Sequence, residues 1–292
     1  MCIAFFGYNL QNSLPLVLAS NRDEFWDRPT APLHQWEDED PQRSSIVAGK
    51  DLQGGGTWLA IHDKNHRLAF VTNYRESLQA STVDHPPSRG KLVTDFLIMT
   101  DQDEFISHLE KDGHLYSGFN LVFGNRKHGF YFFSNRSVEK KVVTLQPNRI
   151  YGVSNGYLDE PWPKLNRGKH IFCRVLDENN ITPNRANGDW SNLREGLWKL
   201  LTDEWKPPEI DLPSTGVSME FERILSSIFV QAPQFDYGTR CSTLILGMPN
   251  GKCQIQERTY RRRDNTSGPL NPNVDFDEKS FVLGAWSDTT KR

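Results

Sequence analysis

The sequence predicts an α+β fold of two antiparallel sheets with helical outer layers. Two observations carry this. Strand-like and helix-like runs alternate in blocks along the chain, strands then helices, strands then helices, and strands again, the order expected of sheets covered by helices. The apolar runs are short and bounded by turn signals, and 292 residues, 37% of them hydrophobic, suffice to bury a substantial core. A single domain over residues 1–292 is therefore expected.

Cys2-Ile3-Ala4-Phe5-Phe6-Gly7-Tyr8 reads as a short buried strand and Pro15-Leu16-Val17-Leu18-Ala19-Ser20 as a second, joined by the polar segment Asn9 to Leu14. A hairpin centred near Gln11 and Asn12 sets residue 2 opposite residue 21, within a register error of about two. Gly56 to His62 and Arg67 to Asn73 form the next strand pair around a polar loop, Asp63 to His66. Lys91 to Met99 and Asp103 to Lys111 have helical spacing: Leu92, Phe96 and Met99 share one face, and Phe105, Ile106 and Leu109 another. Strands resume at Phe119 to Phe123, Phe130 to Ser134 and Ile150 to Ser154. Helices follow at Lys164 to Leu176 and Ser191 to Leu201, then a Pro-rich loop from Lys206 to Ser214. A last meander runs Arg240 to Leu246, Cys253 to Tyr260 and Phe281 to Trp286, turning first at Pro249-Asn250-Gly251. The polar stretch 263–278, with Pro and Gly, reads as a mobile loop.

Charge excludes some partners. A net −3 points to neither nucleic acid nor an anionic membrane, and the one dense basic run, Arg261-Arg262-Arg263, reads as a solvated strand end. No apolar stretch approaches the roughly 18 to 20 residues of a membrane span, and no secretory leader pattern opens the sequence. The four cysteines, 2, 173, 241 and 253, lack metal-type spacing, and scattered thiols fit a reducing compartment. A cytoplasmic protein is expected. His62 and His66 are four apart but flank a turn, so no metal site is expected.

Cys2, directly behind Met1, is the main chemical signal. Its side chain is small enough to permit Met removal, which would give one residue both a thiol and an α-amine. Their reference pKa values are about 8.5 and about 7.7 to 8.0, so the amine can take the thiol proton near neutral pH. The alternative is a small buried residue opening a strand. The hairpin brings Asn21-Arg22-Asp23-Glu24 beside it, as a site or as a solvated turn. Arg22 can hold a thiolate and Asp23 can orient the amine, although adjacent strand residues point to opposite faces. Asn21 and Glu24 are expected to bind substrate. Asn73, Asn155 and Arg240 stand at strand ends, where an amide can donate to an oxyanion and a guanidinium can fix a carboxylate. Each also suits a strand-end turn. Gly54-Gly55-Gly56 reads as a tight turn, and Trp58, with Trp162 and Trp190, either lines a ligand cavity or fills core.

Met1-Cys2-Ile3, Asn21-Arg22-Asp23-Glu24-Phe25, Arg28-Pro29, Gly55-Gly56-Thr57-Trp58-Leu59, Thr72-Asn73-Tyr74 and Ser88-Arg89-Gly90 together resemble the NRDE family. Gly118-Phe119-Asn120-Leu121, Tyr151-Gly152-Val153-Ser154-Asn155, Pro161-Trp162-Pro163-Lys164 and Tyr237-Gly238-Thr239-Arg240 extend the resemblance to about Tyr260. This is also called the transport and Golgi organisation 2 family. The resemblance implies an N-terminal nucleophile hydrolase fold, a four-layer αββα sandwich. It links the chain to Golgi organisation, secretion, mitochondrial and lipid metabolism and haem trafficking. Within that fold class the chain is distantly similar to choloylglycine hydrolases and penicillin V acylases. By that likeness Cys2, Arg22, Asp23, Asn73, Asn155 and Arg240 fill the catalytic roles in order. In those enzymes the early Arg and Asp stand two residues apart, whereas Arg22 and Asp23 adjoin. Two functions follow as expectations. One is a cysteine amidohydrolase acting on a C–N or related acyl bond of a small molecule, with no cofactor required. The other is a non-catalytic carrier of haem or a lipid-like metabolite.

Overall fold

The structure is a computed structural model that describes residues 2–10, 14–76, 85–179, 190–261 and 270–284. It is α+β, with two antiparallel seven-stranded sheets. The chain divides into two compact units, Met1–Asp27 with Asn148–Val153 and Leu158–Arg292, and Arg28–Pro147 with Ser154–Tyr157.

In the first unit β1 (Cys2–Tyr8) lies between β10 (Ile150–Val153) and β2 (Leu16–Phe25). Beyond β2 come β12 (Tyr237–Gly247), β13 (Cys253–Tyr260) and β14 (Phe276–Leu283), and β11 (Gln231–Ala232) also pairs with β12. One face carries α3 (Pro163–Glu178) and α4 (Ser191–Leu201); α5 (Met219–Ile224) follows in the chain. Alternate strand residues Ile3, Phe5, Val17, Ala19, Leu244 and Leu246 make one core with Leu165, Phe172, Leu193 and Leu197. Pro163 opens α3 at its first turn, where a missing N–H costs nothing.

The second unit is a meander in chain order: β3 (Thr30–Gln35), β4 (Ile46–Asp51), β5 (Leu59–His62), β6 (Leu68–Asn73), β7 (Phe119–Asn125), β8 (Gly129–Ser134) and β9 (Val143–Thr144). Between β6 and β7 the chain forms α1 (Arg89–Ile98) and α2 (Gln102–Asp112). Leu92, Phe96, Phe105 and Leu109 bury their helical stripes against Leu121 and Phe123 of β7, as the spacing predicts. Asp101 caps α2 by accepting from the N–H groups of Asp103 and Glu104.

Several elements differ from the sequence reading. β2 continues to Phe25, so the 21–24 quartet lies within a paired strand rather than a solvated turn. β3 and β4 were not expected: β3 contains Pro32 and shows no alternating burial, as suits a sheet edge. β14 begins at Phe276, not Phe281, so residues 276–278 of the expected mobile loop are strand. Its start is polar because it too is an edge, where Arg258 pairs with Glu278 at 2.8 Å. Gln11, Asn12, residues 263–269 and Trp286 lie outside the described residues. No helix among the described residues is long and apolar enough to cross a membrane.

Gly168 marks where α3 seats on β1. A Cβ there would stand 2.0 Å from Cζ of Phe5, whose ring is fully buried. Gly168→Ala should therefore destabilise by about 1 to 3 kcal/mol, although the same change in an open helix stabilises by about 1 kcal/mol. Urea unfolding checks the sign: a lower midpoint at unchanged slope is expected, and a raised midpoint contradicts this packing.

Candidate functional site

The site is built on the open end of the β1–β2 hairpin. Cys2 pairs with Arg22 and Ile3 with Asn21, one residue from the expected register. On its other edge β2 meets β12, where Arg22 pairs with Cys241 and Asp23 with Thr239. Strand alternation sets Cys2 and Arg22 on one face and Asn21 and Asp23 on the helix-covered face. Adjacent positions thus give a guanidinium to the thiol side and a carboxylate to the opposite side. Asp23 is also the first β2 residue past the paired end of β1.

A bulge at residue 240 completes this arrangement, because the register shifts between Thr239 and Cys241. Thr239 can then follow Asp23, donating its hydroxyl to Oδ1 at 2.7 Å. Arg240 donates Nη1 to the Phe25 carbonyl at 2.6 Å and lies 5.1 Å from the Trp26 ring centre. Burial and the nearby Arg22 charge lower its pKa. Arg22 is itself buried, with Nη2 4.0 Å from a Glu24 carboxylate oxygen. The other Glu24 oxygen accepts from the Phe25 N–H at 3.0 Å.

Asn21 departs from its expected substrate-binding role. Its Nδ2 donates to the carbonyls of Leu201 at 2.8 Å and Ile228 at 2.9 Å, and its Oδ1 accepts from Ser242 at 2.6 Å. With no exposed surface, it ties the sheet to the end of α4.

The thiol of half-buried Cys2 is raised above its ordinary pKa. Burial is the main cause; the amino-terminal charge of Met1 opposes it, Asp23 adds to it, Arg22 opposes it and Glu24 adds to it. In the chain that retains Met1, burial thus outweighs Arg22; the expected thiolate formation concerns the processed chain, whose amine is that of Cys2 itself. Burial also raises the Asp23 carboxyl, against the amino terminus, Lys164 and the Thr239 hydroxyl. A protonated thiol beside an amine suits proton transfer during attack rather than a standing thiolate.

In the second unit Asn73 closes β6, and the Asn155 amide donates to its carbonyl at 2.8 Å. Asn155 Oδ1 accepts from the Ser154 hydroxyl at 3.2 Å, and the Arg75 N–H donates to the Asn155 carbonyl at 2.7 Å. Asn120 steadies this segment by donating to the Gly156 carbonyl at 2.7 Å. Trp58 is buried, and a Cβ on Gly49 would lie 2.4 Å from its ring, so it fills core rather than a ligand wall. The glycine triplet is a tight turn: Asp51 Oδ1 accepts from Gly54 at 3.0 Å, Gly55 has φ +72°, and Gly56 packs on the Gly90 backbone. Trp162 and Trp190 also join the first unit's core. Among the described residues no group of three or more His, Cys, Asp or Glu is placed to hold a metal ion.

Sequence reasoning missed Thr239. It stands in a motif quoted above, but nothing in the spacing tied it to Asp23.

The family described as Transport and Golgi organisation 2 matches residues 1–262. The Transport and Golgi organization protein 2 homolog of Bos taurus is 34% identical over 284 residues, covering 91% of this chain and 95% of its own. The Homo sapiens homolog is 33% identical over 285 residues, covering 90% and 95%. The Drosophila melanogaster protein is 28% identical over 290 residues, covering 90% and 94%. Two variant structures of the conjugated bile acid hydrolase from Clostridium perfringens also align. One has 10% identity, 96% coverage of each chain and a TM-score of 0.38, the other 8%, 97% and 0.39.

Thiol alkylation with peptide mapping tests the electrostatics. Cys2 should label ahead of Cys241 and Cys253, which are fully enclosed and raised by burial, and its rate should keep climbing above the ordinary thiol pKa. Arg22→Met removes a charge that favours thiolate, so labelling at fixed pH should slow by roughly threefold to tenfold. A rate that levels off below pH of about 8, or ignores Arg22→Met, contradicts this account.

Proposed function

The chain belongs to the Transport and Golgi organisation 2 family, and from that premise we propose that it is an N-terminal-cysteine hydrolase of amide or related acyl bonds. The observation that supports this most is the pairing of Cys2 with Arg22, with Asp23 one position past the strand end. After loss of Met1, the α-amine of Cys2 takes the Sγ proton as sulfur attacks the acyl carbon. The tetrahedral intermediate expels the leaving group, which takes that proton back from the ammonium. Water, giving its proton to the same amine, then cleaves the thioester and restores the thiol.

Asp23 holds the amine, and Arg22 stabilises negative charge developing on sulfur or on an acidic substrate. Glu24, 4.0 Å from Arg22, holds that guanidinium, and Arg240 fixes an acidic group of the substrate. The likeness to choloylglycine hydrolases gives the oxyanion to Asn73 or Asn155. The substrate is a small molecule and the reaction needs no cofactor. A cytoplasmic location belongs to the same proposal and rests on the scattered thiols.

Intact mass is measured first, since a retained Met1 removes the amine and ends the mechanism. Processed wild type and Cys2→Ala are then incubated with N-acyl amides, acyl thioesters and haem. Wild type should form an acyl adduct and turn over; Cys2→Ala should lose both completely while its melting temperature and ligand affinity hold. Cleavage that survives in Cys2→Ala would falsify the assignment of Cys2 as nucleophile. Haem or lipid binding equal in both proteins, with no adduct in either, favours the carrier of haem or a lipid-like metabolite.

A further inference from the structure

Trp26 has no part in the chemistry above, yet it touches Arg240. Past Phe25, the last residue of β2, the Trp26 N–H still donates to the Asp236 carbonyl at 2.8 Å, so strand alternation carries through it. Arg22, Glu24 and Trp26 therefore share the thiol face. Gly238 pairs with Glu24, and a Cβ there would lie 3.4 Å from Nε1 and 3.7 Å from Cζ2 of the indole. The half-buried ring thus rests over β12 at Gly238. The Arg240 Cζ lies 5.1 Å from the ring centre, within cation–π range.

A second hold sets the side of β2 on which the guanidinium lies. The C=O and N–H of a trans peptide point opposite ways, and the Trp26 N–H donates toward β12. The Phe25 carbonyl is therefore directed to the other edge of β2, the edge where Cys2 pairs with Arg22. Arg240 Nη1 donates to this carbonyl at 2.6 Å, so its side chain crosses β2 from β12. Phe25 is three residues past Arg22, and a strand rises about 3.3 Å per residue, which sets the guanidinium roughly 10 Å along the sheet from Cys2. Glu24 is the carboxylate between those positions. Its oxygens face Arg22 Nη2 at 4.0 Å and the Phe25 N–H at 3.0 Å.

We propose that Trp26 is a positioning residue: its ring and the Phe25 carbonyl hold Arg240 where that guanidinium takes an acidic group of the substrate, roughly 10 Å from Cys2. The substrate class is then an acyl compound with a carboxylate or similar anion at that reach from its acyl carbon. Binding of the anion rests on the role given to Arg240 above; the bracing of Arg240 does not.

Alkylation of Cys2 measures this reach without turnover and whether or not Met1 is retained. The probes are ω-(iodoacetamido)alkanoic acids with one to six methylenes between nitrogen and carboxylate, each compared with its uncharged primary amide. In both, the sulfur displaces iodide from the same carbon, and peptide mapping reads Cys2 alone, so the acid-to-amide rate ratio isolates the anion. In wild type the ratio should peak at an intermediate spacer, about fivefold above the shortest. Arg240→Met and Trp26→Leu should each flatten the profile, and the double variant should go no lower than Arg240→Met. Trp26→Phe, which keeps a ring, should retain the peak.

A Trp26→Leu profile equal to wild type overturns the bracing, as does a double variant below Arg240→Met or a Trp26→Phe profile as flat as that of Trp26→Leu. If Trp26→Leu does not fold, Trp26→Met, which refills the volume without a ring, takes its place under the same outcomes. A wild-type ratio that ignores both spacer and Arg240→Met overturns the anion site. If N-acyl amides never acylate wild type while an Arg240-dependent peak is present, the hydrolase reading fails and this inference stands.

Discussion

The register of the β1–β2 hairpin is the constraint on which the candidate site depends. Side chains alternate with period two, so a slip of one residue would exchange every face. Arg22 would turn toward the helices and Asp23 toward the thiol side. Asn21 holds the register: its amide and carbonyl are matched to Leu201, Ile228 and Ser242 without any exposed surface. A slip would strand those buried partners, each at a cost of about 1 to 3 kcal/mol. Ser242 also lies 2.9 Å from the Tyr260 hydroxyl, so the pin reaches across β12 to β13. Asn21 thus serves the site by fixing where its neighbours point.

Burial and charge compete at this strand end, and burial prevails. It raises both the Cys2 thiol and the Asp23 carboxyl, although the amino terminus opposes it at each. In the chain that retains Met1, burial therefore favours the thiol over the thiolate. In the proposed mechanism the thiol gives up its proton as it reacts, to the amine that Met1 removal uncovers. The bulge at residue 240 has a matching role, because it lets Thr239 reach Asp23 while Arg240 turns to the Phe25 carbonyl. In the proposed mechanism the two sides of one strand serve different parts of the same residue, Arg22 the sulfur and Asp23 the amine.

Much of the fold was legible where apolar periodicity is strong. β1 and β13 have the expected bounds, and α4 runs from Ser191 to Leu201 as read. Edge strands were not legible: β3 and the start of β14 are polar because they pair on one side only, which removes the alternation a sequence reading relies on. At the site, the neighbourhood of Cys2, Arg22 and Asp23 followed from hairpin arithmetic to within one residue. The orientation of Asn21 did not, since an amide facing substrate and an amide tying two backbone carbonyls look alike in sequence. Thr239 was invisible as a partner of Asp23 because it lies 216 residues away in the chain. Only tertiary packing could pair them.

A crystal structure of the protein lacking Met1 tests the central claim most directly, because it observes the amine on which the chemistry depends. The account predicts the Cys2 nitrogen at about 3 Å from an Asp23 oxygen, with Sγ on the Arg22 side of the sheet. A nitrogen directed away from Asp23, or a sulfur turned into the core among Ile3 and Phe5, would contradict it.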